Sequence, residues 1–180
     1  PRQAPPLALT GVQLVVRNGR RRHDLRRDAT LPAGWGDTVS VRARLRQPLL
    51  ARAADFSQWS GTLHAELPNA DVAQLRHYVN LPLALVEGSG AMRLWLDLDQ
   101  GQPRTGTADL ALRDVTLRLS PQLAPMNFTQ MQGRFEASQS AQQWHVAASR
   151  FGFVTGEGQQ WPAGRLALTL NRAPPSGPAA

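Results

Sequence analysis

The sequence has no cysteine and no lysine. Without cysteine there is no disulfide framework and no thiolate-ligated zinc or iron–sulfur site. Without lysine there is no phosphate-cradling glycine loop of the kind that needs that side chain. No apolar run approaches the roughly 18–20 residues of a membrane-spanning helix, and the longest, Leu81 to Val86, is interrupted by Pro82. There is no initiator methionine, and no signal or transit peptide is visible; with Pro-rich stretches at both ends, the chain reads as a piece of a longer polypeptide. What is present is 180 residues, 42% apolar and 18% charged, enough to form one domain with its own core.

The formal net charge of +7 is unevenly placed. Residues 1–52 carry 11 arginines against 3 aspartates, and the remaining residues carry 9 arginines against 10 acids. The densest stretch runs from Arg17 to Arg27 and includes Arg20, Arg21, Arg22, Arg26 and Arg27. Such a cluster can bind phosphates of nucleic acid or of anionic lipid headgroups. A solvated hairpin tip is the simpler explanation, because Asn18-Gly19 is a favoured turn that would put the cluster on the return strand. No aromatic residue is interleaved with these arginines, which argues against stacking on single-stranded nucleic acid.

Along the chain the ruling pattern is alternation with a period of two, the mark of strands with one buried and one wet face. Between Gly61 and Leu67 the apolar set is Leu63, Ala65 and Leu67; between Ala91 and Asp99 it is Met92, Leu94, Leu96 and Leu98. Further strands are expected at Gly11–Arg17, Thr38–Arg46, Thr107–Leu119, Met131–Ala137, Trp144–Ser149 and Arg165–Leu170. In the Thr107–Leu119 stretch the apolar phase changes from Ala108, Leu110 and Leu112 to Val115, Leu117 and Leu119. A one-residue slip would turn every later side chain over, so a bulge or kink is predicted at Arg113-Asp114. One short helix is expected over residues 71–79, capped by Asp71, with Val72, Leu75, Tyr78 and Val79 on one face and a stop at Pro82. A second short helix or turn is expected at Leu49–Ala54. The fold class is therefore mainly β, an antiparallel twisted or curved meander with one short helix. Alternation alone leaves both an open groove and a closed β-sandwich standing.

Catalytic groups are not assembled by this sequence. Asp97 and Asp99 share a strand face but read best as a solvated pair ahead of the Gln100-Gly101 turn. His23, His64, His77 and His145 show no ligand spacing. Ser89, in Glu87-Gly-Ser-Gly90, lacks the nucleophile-elbow pattern. No catalytic residue, metal site or cofactor is expected, and the chain reads as a non-enzyme.

An ordered series of segments carries a family likeness. Phe56-Ser-Gln-Trp-Ser-Gly-Thr-Leu63 is followed by Ala70-Asp-Val-Ala-Gln-Leu-Arg-His-Tyr78 with Leu81-Pro82. Then come Glu87-Gly-Ser-Gly-Ala-Met-Arg-Leu-Trp-Leu-Asp97 and Thr107-Ala-Asp-Leu-Ala-Leu-Arg-Asp-Val115, with Trp144, Phe153 and Gly156-Glu-Gly-Gln-Gln-Trp-Pro162 beyond. In this order they resemble the YhdP family of AsmA-like envelope proteins. The resemblance implies a segment from the N-terminal half of a large Gram-negative protein that bridges the periplasm, anchored to the inner membrane by a part absent here, with a long β-groove that moves phospholipid toward the outer membrane. Charge placement sets off residues 1–52 as an Arg-rich β-hairpin region outside the resemblance, the resemblance makes 53–172 the β-sheet segment, and composition makes 173–180 a Pro-rich tail.

The expected partners are phospholipid acyl chains, neighbouring segments of the same chain and, through parts not present, the membrane; nucleic acid is not expected. Moving a chain of about 16 carbons through water at about 0.8 kcal/mol per methylene costs on the order of 13 kcal/mol, which an apolar sheet would lower without chemistry. The candidate floor residues are Leu63, Leu67, Met92, Leu94, Leu96, Leu110 and Leu112, and Arg20, Arg21, Arg22, Arg26 and Arg27 are candidates for binding a headgroup or other anion. The alternative function is an envelope assembly or scaffold module that docks a protein on the same apolar face.

Overall fold

The computed structural model describes residues 8–49, 55–75, 85–118, 120, 122–140 and 143–171. The alternating segments become nine strands: β1 (Thr10–Asn18), β2 (Arg22–Thr30), β3 (Thr38–Arg46), β4 (Ser60–Asp71), β5 (Leu85–Asp99), β6 (Gln102–Leu117), β7 (Met126–Gln139), β8 (Gln143–Thr155) and β9 (Gln160–Asn171). Each pairs antiparallel with its sequence neighbours in one sheet of order β1 to β9. The sheet is open, since β1 and β9 are edges and do not pair with each other. The closed β-sandwich alternative is thereby set aside: there is one layer, and a short helix, α1 (Val72–Leu75), rests against β5 and β4.

Tight turns allow the meander. Between β5 and β6, Gln100 and Gly101 both have positive φ (50° and 69°), the backbone of a two-residue turn whose twist matches that of the flanking strands. The β1–β2 hairpin forms as expected, but its corner is Arg20-Arg21, closed by the Gly19 amide donating to the Arg22 carbonyl at 2.7 Å, and not Asn18-Gly19. The register Val16↔Leu25, which keeps two apolar side chains together, fixes the corner two residues downstream of the sequence-favoured turn. At Gly90 the backbone has φ 145°, and an added Cβ would lie 2.2 Å from the Ala111 carbonyl oxygen of β6. Only glycine fits there.

The predicted irregularity at Arg113-Asp114 is present. Asp114 has φ 51°, and the β5–β6 pairing passes from Ser89↔Arg113 to Glu87↔Thr116, leaving an extra residue on β6. It is one of a series. Pairing also slips at Pro68-Asn69 in β4, at Thr129 in β7 and at Arg150 in β8, whose φ is 54°. Pro68 has no amide to give the ladder, which accounts for the break in β4. A line of bulges thus crosses the sheet from β4 to β8, and at each one the extra residue restores apolar side chains to the same face.

Helix α1 follows β4, and Asp71 Oδ1 accepts the Gln74 amide at 3.3 Å, as a capping residue does. Residues 76–79 of the expected helix, and 50–54 of the second expected helix or turn, lie outside the described residues. Val72 is fully buried and clusters with Leu85, Leu110, Leu112, Val115, Leu117 and Met131. This cluster is the core. It occupies one end of one face, and among the described residues no polar or charged side chain is buried.

Candidate functional site

The site is a surface, and pairing register defines it. One line of directly paired residues runs from edge to edge: Val16, Leu25, Ala43, Leu63, Leu96, Gly106, Ala137, Val146 and Leu168. All nine are apolar. The next line on the same face is Leu14, Arg27, Val41, Ala65, Leu94, Ala108, Phe135, Ala148 and Leu166, with Arg27 the one charge in it. Eight inter-strand steps of about 4.8 Å make each line about 38 Å long, more than twice the roughly 15 Å an acyl chain spans in one leaflet of a bilayer.

All seven predicted floor residues lie on this face, although they are not equally available. Leu63, Leu67, Met92, Leu94 and Leu96 are half-buried, whereas Leu110 and Leu112 are buried in the cluster that includes Val72 of α1. The opposite end is partly covered as well. Trp59, just after a 3₁₀ turn (Phe56–Gln58), stacks on His23 with ring centroids 4.5 Å apart, and its carbonyl accepts the Gly101 amide. Between these covers the floor is open, and toward the edges Leu14, Val16, Leu166 and Leu168 are each about half or more exposed. The sequence reading missed these edge residues, Phe135 and Val146. Their alternation was visible strand by strand, but only register shows that they extend the same lines.

The reverse face is polar by the same register. One of its lines reads Gln13, Asp28, Ser40, Glu66, Arg93, Asp109, Arg134, Ser149 and Arg165. Opposed charges pair across strands: Arg93 with Glu66 at 2.9 Å, Arg44 with Asp24 at 3.1 Å, and Arg134 with Asp109 through two hydrogen bonds of 2.6 and 2.7 Å. The Arg134 hydrogen bonds hold the Asp109 carboxyl below the usual carboxylate range, against the opposing effect of its partial burial. The Ser40 hydroxyl, followed by Arg26, does the same for Asp28. Opposed pairs of this kind fix register and add modestly to stability. Hollows of about 790, 470 and 310 Å³ are lined largely by side chains of this polar face. The apolar face is a broad floor.

The predicted arginine cluster is dispersed by the fold. Arg20 and Arg21 form the hairpin corner, Arg22 and Arg26 point to the polar face, and Arg27 lies on the apolar one. The carboxylates of Asp97 and Asp99 have separate partners: Thr105 for the first, Ser60 and Arg104 for the second. Among the described residues no group of three or more His, Asp or Glu side chains is placed to hold a metal, and no helix is long and apolar enough to cross a membrane.

A strand meander with one largely apolar face is what the segments from Phe56 to Pro162 led one to expect, and comparison of the whole chain with protein families decides the matter: the YhdP protein family matches residues 4–179. The chain belongs to the YhdP family. The match takes in the first 50 residues, beyond the stretch whose motifs carry the likeness. No curated protein and no solved structure matches the chain. In this YhdP-family chain the bulges at Asp114 and Arg150 act as phase correctors, without which the apolar face would break up between its covered end and its open floor.

Proposed function

We propose that this chain is a non-enzymatic segment of a lipid-transfer bridge in the Gram-negative envelope, which moves phospholipid between inner and outer membrane along the apolar face of its sheet. The observation that carries the reading is the unbroken apolar line from Val16 on one edge strand to Leu168 on the other. A floor on one side shields about half of an acyl chain, so of the roughly 13 kcal/mol that a 16-carbon chain costs in water it removes about 6. The second acyl chain of the same lipid, lying alongside, covers part of the remainder. Nothing in this task calls for a catalytic group or cofactor. The same reading puts the segment in the periplasm, continued at its edges by neighbouring segments and anchored to the inner membrane by a part outside this chain.

A photoreactive residue in place of Leu94 or Leu63, both half-buried on the open floor, tests the proposal in cells. Phospholipid adducts at both positions, with none at Thr107 on the polar face, are the expected outcome. Adducts to protein alone would favour the other reading, an assembly module that docks a partner on this face.

A further inference from the structure

The polar face of β2 and β3 departs from the rule that governs the rest of that face. Opposed charges meet across strands elsewhere, and here at Asp24–Arg44, but on either side of that pair Arg22 lies directly opposite Arg46, and Arg26 directly opposite Arg42. Like charges in opposed positions destabilise a sheet. Local carboxylates relieve this only in part. Asp24 is taken by Arg44, and Asp28 by Arg26 along its own strand, while Asp28 also feels the charge of Arg42. Arg22, Arg42 and Arg46 are left with no ion pair or side-chain hydrogen bond among the described residues. The Arg26–Arg42 pair borders a hollow of about 790 Å³ whose charged lining is Arg17, Arg26, Arg42 and Arg44 against Asp24 and Asp97, with His64 and Trp95 beside them; Arg22 and Arg46 lie outside it.

We propose that this hollow is an anion site that takes a phosphate group, on the face opposite the lipid floor. The preference for phosphate follows from charge and shape. Guanidinium groups donate in forks that match tetrahedral oxyanions, and a dianion in the hollow turns the Arg26–Arg42 repulsion into a shared attraction. The phosphate can belong to a lipid headgroup at a membrane surface or to a soluble ligand. The site does not depend on the acyl-chain reading, because the charged side chains it uses lie on the polar side of the sheet.

The test uses the 180-residue chain and the double variant R42T/R46T, which removes the unpaired arginine of the hollow, Arg42, and the unpaired Arg46 beyond its rim, and keeps strand-forming residues. In phosphate-free buffer the variant should melt at the same temperature as wild type or higher, since a repulsion has been removed. Raising inorganic phosphate at constant ionic strength should raise the melting temperature of wild type, with saturation, as binding to the folded state requires. In the variant the affinity should fall by about tenfold or more, the loss of one or more charge-assisted hydrogen bonds. A rise that is equal in both proteins would be the general salting-out effect of phosphate and would overturn the site. So would no rise in either. Sedimentation with vesicles of anionic phospholipid, competed by free phosphate and lost in R42T/R46T, assigns the site to headgroups. Saturable phosphate binding without vesicle binding assigns it to a soluble ligand.

Discussion

Replacing Leu96 by Asp puts a charge in the middle of the one fully apolar line. In the free protein the change is mild: Leu96 is half-buried, its Cδ2 leaning over Gly106 of β6, and losing half of a leucine's burial costs about 1 kcal/mol. The sheet should still form. With an acyl chain on the floor the situation changes. Either the carboxylate is stripped of water, at several kcal/mol, or the chain lifts away from it. Lifting is cheaper. About four methylenes lose contact on a floor that shields roughly half of each, for about 1.6 kcal/mol, or more than tenfold in affinity. Equilibrium binding of a fluorescent phospholipid, with circular dichroism to confirm the fold, measures the effect, and T107K on the polar side of the neighbouring strand serves as control. An affinity for L96D within twofold of wild type, with the fold intact, would refute the idea that this line carries the acyl chain.

Deleting Asp114 removes the phase correction and turns Val115 and Leu117, both buried, toward water; at about 1.5–3 kcal/mol each the loss is enough to give a loosened state, seen as dye binding with retained strand signal. Gly90→Ala forces a side chain onto the Ala111 carbonyl in a backbone conformation that disfavours it, and urea unfolding should show a loss of about 2–4 kcal/mol. In the Asp109–Arg134 pair the carboxyl pKa is lowered by folding. Its stabilisation is therefore present above the unfolded aspartate value of about 3.9 and is lost as pH falls through the lower folded value. D109N should melt below wild type at pH 7, with the gap closing under acid, and a gap that persists undiminished at pH 2 would contradict the assignment. Arg27→Leu fills the one charged position in the second apolar line; lipid crosslinking at Leu14 should rise with no loss of stability.

Strand by strand, the faces were legible in the sequence because the side-chain period of a strand is two whatever surrounds it. Leu63, Leu67, Met92, Leu94, Leu96, Leu110 and Leu112 were assigned to one side on that ground and share one side in the fold. The bulge at Asp114 was legible for the same reason, since a change of apolar phase within one strand has few other solutions. The matching bulge at Arg150 left an equal trace in the shift from Val146 and Ala148 to Phe151 and Phe153, but it fell past the predicted end of β8. Unequal cover was not legible: Leu110 and Leu112 look like Leu94 and Leu96 in sequence, and only the packing of Val72 of α1 distinguishes them.

By itself, then, the sequence determined a wet and an apolar face for β4, β5 and β6 and a family likeness. Tertiary structure decided how strands add up. Edge-to-edge continuity depends on register between residues as far apart as Val16 and Leu168, and register is a property of pairs. The same holds for charge. Arg20, Arg21, Arg22, Arg26 and Arg27 are neighbours in the chain and were scattered to a corner and two faces, while Arg26 and Arg42, sixteen positions apart, were set opposite each other. Alternation dictates where a side chain points, but pairing dictates what it meets.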